Sequence, residues 1–292
     1  MELRTVSTDE DYETWRQVRI AVLPYERCAT TAELRAQERP TRLMLLASVD
    51  GTVVGSGWAN MSETEGSASV APRVLPEFRR HGYGTALLDA LVAHARTLDV
   101  AAVSSMCDDP GSMAFAEHFG FAEVNRQVEQ VRAISPSEPL PTDVPEGIRV
   151  VTLDERPELW AACYDRFATE ALADFAVHKP MKVSAEQWNE YWAGDPMFLA
   201  LDEAGDVIGC AGVDVDTDVP GRGENALTAV RRDWRGRGIA AYLKRLTLHW
   251  AAEHGLTEVY TWTQRDNEGM RSLNEKLGYV YRTVSITASK PL

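Results

Sequence analysis

The chain has 292 residues, 45% apolar and 25% charged, with a formal net charge of −14. That length suits two domains, each able to bury its own core, and no apolar run is long enough to span a bilayer. The acidic balance argues against nucleic acid and anionic membranes as partners and favours a cationic one. Met1-Glu2-Leu3-Arg4 opens without an apolar secretory segment, and Cys28, Cys107, Cys163 and Cys210 lack Cys-x-x-Cys spacing. The expectation is a cytoplasmic protein with reduced thiols and no metal site.

In chain order, a strand over Glu2–Val6 leads to an acidic helical segment, Asp9–Val22. Leu43–Val49 and Thr52–Trp58 are apolar runs joined by Asp50-Gly51, a two-residue hairpin signal. A strand-like run then ends in Val74-x-Pro76-x-x-Arg79-Arg80-His81-Gly82-Tyr83-Gly84, and Thr85 continues into an amphipathic helix. A strand over Ala101–Met106 and a short helix ending at Gly120-Phe121 follow. Residues 133–147 contain Pro136, Pro139, Pro141 and Pro145, which suit neither a helix nor a central strand. They mark a connector, giving domains 1–134 and 147–292 with a linker over 135–146.

The same order then recurs. Ile148–Thr152 is a strand and Pro157–Ala173 a helical segment. Phe198–Leu201 and Val207–Val213 form a hairpin around Glu203–Gly205. The second loop reads Val230-x-Arg232-x-x-Arg235-Gly236-Arg237-Gly238-Ile239-Ala240 and opens a helix with Leu243, Leu246 and Trp250 on one face. A strand over Glu258–Thr263 and a helix ending at Gly278-Tyr279 close the repeat. Arg79 matches Arg235 at an offset of 156, and Gly120 matches Gly278 at 158, so the repeat is a whole domain. A strand, a glycine turn and a helix N-terminus together aim backbone N–H groups at one spot, which suits phosphate oxygens.

Both halves resemble the GNAT acetyltransferases: Val-x-x-x-x-Arg-x-x-Gly-x-Gly/Ala on a strand–loop–helix, then a Gly-Phe or Gly-Tyr pair. The second half is the closer match, with Thr263-x-x-Asp266-Asn267-x-x-Met270-x-x-x-Asn274-x-x-Leu277-Gly278-Tyr279. The tandem arrangement is also found in mycothiol synthase-like proteins. The resemblance implies an α/β fold of two tandem domains, each a mostly antiparallel, splayed sheet flanked by helices. It implies acetyl-CoA held by the loop amides, with Val74 or Val230 at the strand edge that pairs with pantetheine. The cofactor-binding residues would be Val74, Arg79, Arg80, His81, Gly82, Tyr83, Gly84 and Thr85, and Val230, Arg235, Gly236, Arg237, Gly238, Ile239 and Ala240. Asn267 would hold the pantetheine.

Transfer to an amine calls for a base, because an alkyl ammonium has a pKa of about 10. In the histone-acetylating branch the base is a Glu eleven residues before the loop, a position held here by Glu224 in the second half and Ala68 in the first. A regular strand puts Glu224, Ala226, Thr228 and Val230 on one face. Many relatives carry a Tyr acid four residues before the terminal Gly; here Ala116 and Asn274 stand there, a departure from the pattern. Asn274 is the candidate to meet the sulfur or the substrate. The second half is therefore expected to catalyse and the first to be a retained cradle.

The acceptor pocket would come from the first helices of the second half, rich in acid and aromatics: Asp174, Trp188, Tyr191 and Trp192 are its candidates, the three aromatics sharing a helix face at i, i+3, i+4. The first half offers a weaker version in Tyr25, Glu26, Glu33 and Glu38. The expected acceptor is a primary amine of a small, cationic metabolite or antibiotic-like compound, and the expected assembly a monomer or homodimer. A non-catalytic acetyl-CoA sensor and a protein N-acetyltransferase are the alternatives.

Overall fold

Strands β1 (Glu2–Thr5), β2 (Leu43–Val49) and β3 (Thr52–Met61) follow the alternation seen in the sequence, with helices α1 (Asp9–Val22) and α2 (Thr31–Ala36) between β1 and β2. Asp50 and Gly51 turn the β2–β3 hairpin with φ of 49° and 79°, the left-handed pair that matches strand twist. Capping boxes start both helices: Asp11 N–H donates to Thr8 Oγ1 at 3.1 Å, and Glu33 N–H to Thr30 Oγ1 at 3.2 Å. Then come β4 (Ser67–Val74), α3 (Tyr83–Ala95), β5 (Ala102–Cys107), α4 (Pro110–His118) and β6 (Ala122–Ala133). The second half runs β7 (Arg149–Thr152), α5 (Glu158–Ala162), α6 (Thr169–Phe175), α7 (Ala185–Trp192), β8 (Met197–Leu201), β9 (Val207–Val215), β10 (Arg222–Val230), α8 (Ile239–Glu253), β11 (Glu258–Gln264), α9 (Glu268–Lys276) and β12 (Val280–Pro291). This computed structural model describes residues 1–24, 26–62, 66–107, 109–175, 183–192, 196–217 and 219–292, with the backbone alone for Phe175, Tyr191 and Trp192.

The helical segment expected over Pro157–Ala173 is interrupted. Phe167 N–H and Ala168 N–H both donate to Cys163 O, at 2.8 and 3.3 Å, which widens one turn over Tyr164–Ala168. The widened turn drops Phe167 into the core, edge-on to Trp188.

Two compact units result: Met1–Asn125 with Ser285–Leu292, and Arg126–Val284. They depart from the expected boundaries 1–134 and 147–292 because β6 and β12 are each shared out. Residues 127–133 of β6 pair antiparallel with β11 in the second unit. Residues 286–291 of β12 pair antiparallel with β5 in the first. Each unit is thus antiparallel throughout except at one joint, β4 with β5 or β10 with β11. The segment 135–146, expected as a connector, is fastened to the second unit. Glu138 takes Arg132 at 3.0 and 2.7 Å, and Asp143 takes Arg245 at 2.7 Å.

In both units the sheet is buried on two faces. In the first, Leu87, Leu88 and Leu91 of α3 cover one face, while Tyr12, Trp15 and Leu34 cover the other. In the second, Leu243, Leu246 and Leu248 of α8 take one face, while Trp160, Phe167 and Trp188 take the other.

Candidate active site

The two loops repeat one another in backbone. Arg79 and Arg235 both have φ −68° and ψ 161°, following a single 3-10 turn. The next residues, Arg80 and Gly236, are left-handed at 67° and 77°, and Gly82 and Gly238 are left-handed at 84° and 81°. Arg80 holds by strain what Gly236 holds freely. Each helix starts directly after its second left-handed residue, and among the described residues no side chain caps either N-terminus. The leading amides of α3 (Tyr83, Gly84, Thr85) and α8 (Ile239, Ala240, Ala241) therefore face outward at the positive ends of two helices. A Cβ built at Gly82, Gly236 or Gly238 would meet nothing within 4 Å, so the cradle has room at its floor. At Gly84 a Cβ would make ordinary contact with Phe115, which is why Ala240 serves at the matched position.

The side chains of the loops do different work. Arg79 Nε donates to Val74 O at 3.2 Å and Arg235 Nε to Val230 O at 2.8 Å, tying each loop to its strand. His81 stacks on Tyr83, and the Arg237 guanidinium lies 4.4 Å over Trp234. Asp174, expected at the acceptor, is instead bound to Arg232 and Arg235, because α6 ends beside the loop. Those two guanidiniums, Arg232 foremost, hold its carboxyl below the usual carboxylate range.

Beyond the loops the sheet opens. The parallel ladder joins only Ser67–Ser69 to Ala102–Ser104, and only Arg222–Glu224 to Glu258–Tyr260. Past those pairs the strands part. The second unit adds a bulge in β10 between Asn225 and Thr228. The bulge overturns the expected parity. Ala226 packs with Trp160 and Phe167, whereas Val230, expected on the same face, packs with Ile239 and Leu243 on the other. Glu224 sits on the last rung before the opening, and the Tyr260 hydroxyl donates to Glu224 Oε2 at 3.1 Å. The one-residue bulge also shifts the repeat, so the rung Glu224–Tyr260 corresponds to Ser69–Ser104 and not to Ala68. Across β9 the partner of Glu224 is Asp214, where the first unit pairs Ser69 with Asn60.

Other expected site residues lie elsewhere. Asn274 is fully buried, its Nδ2 donating to Gln130 Oε1 at 3.0 Å and Thr263 Oγ1 at 3.3 Å, so it braces α9 on β11 and β6 rather than meeting solvent. Asn267 caps α9 by accepting Met270 N–H at 3.2 Å. Trp188 is wholly buried and stacked on Trp160 at 4.4 Å, a core residue and not an acceptor wall. The side chains of Tyr191 and Trp192, and all of Tyr25, lie outside the described residues. Glu33 caps α2 and pairs with Arg27, Glu26 pairs with Arg19, and Glu38 accepts from Tyr12, so these acids are engaged within the first unit.

Two features escaped the sequence reading. One is the charged face around Tyr260; Glu258 and Tyr260 alternating on one strand was its only trace. The other is Lys244, buried in α8, with Nζ 2.9 Å from Asn225 Oδ1 and Tyr279 OH donating to the same oxygen at 2.6 Å. Burial brings the Lys244 amine down to about 7. Laying the repeats together puts Lys244 on Leu88 and Tyr279 on Phe121, a comparison that flags the exchange of apolar for polar. Three buried polar atoms lack partners among the described residues near this end of the sheet: Asn225 Nδ2, Thr228 Oγ1 and Asn274 Oδ1. Among the described residues no cluster of His, Cys, Asp and Glu could hold a metal ion, and no helix is long and apolar enough to cross a membrane. The four cysteines are buried and unbridged.

The acetyltransferase (GNAT) family matches residues 7–121 and 159–279. A mycothiol acetyltransferase of Nocardia farcinica is 31% identical over 83% of this chain and 80% of its own length. That of Saccharomonospora viridis is 28% identical over 70% and 69%. Among solved structures, a tandem GNAT protein from the clavulanic acid biosynthesis pathway superposes with a TM-score of 0.78 at 20% identity, over 99% of this chain and 98% of that one. A GCN5-related N-acetyltransferase from Sphaerobacter thermophilus gives 0.72 at 22% identity, over 99% and 95%. These likenesses speak for the fold.

Proposed function

This chain belongs to the acetyltransferase (GNAT) family, and from that premise we propose that its second unit moves an acetyl group from acetyl-CoA to a primary amine of a small, cationic compound. The chain is an N-acetyltransferase; the acceptor, the working unit and the residue roles are the proposal. The observation that carries it is Glu224, a carboxylate at the rung where β10 and β11 part, matched in the first unit by Ser69.

The residues present fit the cofactor. The uncapped N-terminus of α8, the open floor at Gly236 and Gly238, and the parting of β10 from β11 suit a pyrophosphate followed by an extended amide chain. Bound there, acetyl-CoA supplies the acetyl group as a thioester. Amides of Gly238, Ile239 and Ala240 would bind phosphate oxygens, with Arg237 at the rim. Past Glu224 the edge of β10 that no longer pairs with β11 would receive the pantetheine. Glu224 takes the proton that the acceptor ammonium must lose before its nitrogen can form the new C–N bond. No tyrosine stands at Asn274, so the sulfur that leaves as thiolate would take its proton from solvent or from Glu224, which holds the one removed from the amine.

A cationic acceptor is favoured by the like-charged rung of Glu224 and Asp214, which face one another across β9 and β10. An ammonium at that rung would be drawn by both carboxylates. The curated relatives make a mycothiol-related amine the first acceptor to try; polyamines, aminoglycosides and amino acids complete the panel. The test is thiol release from acetyl-CoA with each amine. Glu224→Gln is expected to lower kcat about 100-fold or more at pH 7 and less at pH 9, where the free amine is abundant. An unchanged rate at every pH would remove Glu224 as the base. Tight cofactor binding with no thiol release from any amine would favour the sensor reading.

A further inference from the structure

We infer that Tyr260 is a positioning residue for Glu224, an inference that rests on the reading of Glu224 as base. Three observations support it. The phenol donates to Glu224 Oε2 at 3.1 Å, fixing one oxygen of the carboxylate at the mouth of the splayed strands. The ring is 1% exposed and flanked by two guanidiniums, Arg222 at 4.2 Å from its centroid and Arg282 at 5.9 Å. Positive charge against a phenol polarises its O–H and makes it a stronger donor.

The guanidiniums are themselves held. Arg282 donates to both oxygens of Glu129, which is fully buried, and its Nη1 donates to Glu258 Oε1 at 2.8 Å. Glu258 also lies 3.5 Å from Arg222 Nε. The register explains why these groups meet. Arg222 pairs with Glu258, Glu224 with Tyr260, and Trp262 with Glu129, so the side chains alternate onto one face.

The first unit is the internal comparison. Its ladder has the same rungs, but they read Ser67–Ala102, Ser69–Ser104 and Met106–Thr287. One frame is built twice, and among the described residues these rungs carry the charged side chains around Glu224 and not in the first unit.

The role assigned to Tyr260 is orientation and proton affinity. A carboxylate pinned by one strong donor presents its remaining capacity in one direction, toward the opening. A hydrogen bond from the phenol favours the ionised form of the carboxylate, while Asp214 opposite it on β9 disfavours that form.

The experiment uses the full chain with Tyr260→Phe, Glu224→Gln and the double variant. Thermal midpoint, CoA affinity and kcat from pH 6 to 9.5 are measured for each. Tyr260→Phe is expected to bind CoA as the wild type does, to lose about 5–30-fold in kcat, and to move the acid limb of the profile to higher pH. The double variant is expected to be no slower than Glu224→Gln alone. A wild-type profile for Tyr260→Phe, or losses that multiply in the double variant, would overturn the inference while leaving Glu224 as base. A wild-type rate for Glu224→Gln would overturn the base reading and this inference together. If Tyr260→Phe does not fold, 3-fluorotyrosine at position 260, similar in shape and a stronger donor, should move the acid limb to lower pH; an unmoved limb overturns the inference.

Discussion

The carboxylate of Asp174 is bound to the guanidinium of Arg235, and so an acid from α6 occupies a cation of the phosphate loop. The same carboxylate also holds Arg232. A pyrophosphate arriving at the loop must compete with it. Asp174→Asn is therefore expected to tighten CoA binding about 2–5-fold at low salt, the modest gain of exposed ion pairs, with the difference shrinking as salt screens it. The effect should hold level from pH 6 to 8, because the arginines keep Asp174 ionised well below that range. Calorimetric titration with CoA checks this, and weaker binding would refute the competition.

Lys244 gives a stability prediction with a definite sign. Its amine is near 7 in the folded chain against 10.5 for an ordinary lysine, the cause being burial. Between those values the unfolded chain binds more protons than the folded one, so this residue makes stability rise with pH across the window. Below it the ammonium stays charged and the burial cost is full. Burial pushes the Tyr279 phenol up, so that group stays neutral throughout the same window. Lys244→Met is expected to raise the thermal midpoint by several degrees at pH 6 and by much less at pH 9.5. Leu88 at the matched position of the first unit shows that the frame accepts an apolar side chain there. A gap that widens with pH would contradict the assignment.

The two loops can be weighed against each other. Gly238 and Gly82 are both left-handed, so alanine at either strains the backbone by roughly 1–3 kcal/mol and places a methyl on the cradle floor. With the second unit as catalyst, Gly238→Ala should lower kcat/KM for acetyl-CoA about 10-fold or more, and Gly82→Ala should cost less. Equal losses would mean that both units turn over.

What could be read from the sequence was what depends on residue type at fixed local spacing. Asp50-Gly51 and the paired loops follow from backbone φ demands, whereas the count along the strand that picks out Glu224 lands on Ala68 in the first unit, one residue short of the matching Ser69. What could not be read depends on packing between distant segments. The bulge at Asn225–Thr228 leaves no glycine or proline signature, yet it reverses which side chains share a face with Glu224. The helix spacing of Trp188 suits a pocket wall and suits an ordinary core face better; the partner Trp160, whose indole N–H donates to its carbonyl at 3.1 Å, lies 28 residues away. Asp174 looked free for a substrate because nothing local announces Arg232 and Arg235.

The sharing of β6 and β12 has a consequence for how the protein comes into being. Residues 285–292 complete the sheet of the first unit, but the ribosome must make 126–284 before it reaches them. During synthesis the first unit waits with β5 as a raw edge, exposed to stray pairing until its closing strand arrives. Residues 126–133 emerge early and wait in turn for β11. Gene fragments cut at the proline-rich segment would inherit the same defect, each lacking a strand that the other encodes. The two repeats, though copies of one design, are committed to maturing as one molecule.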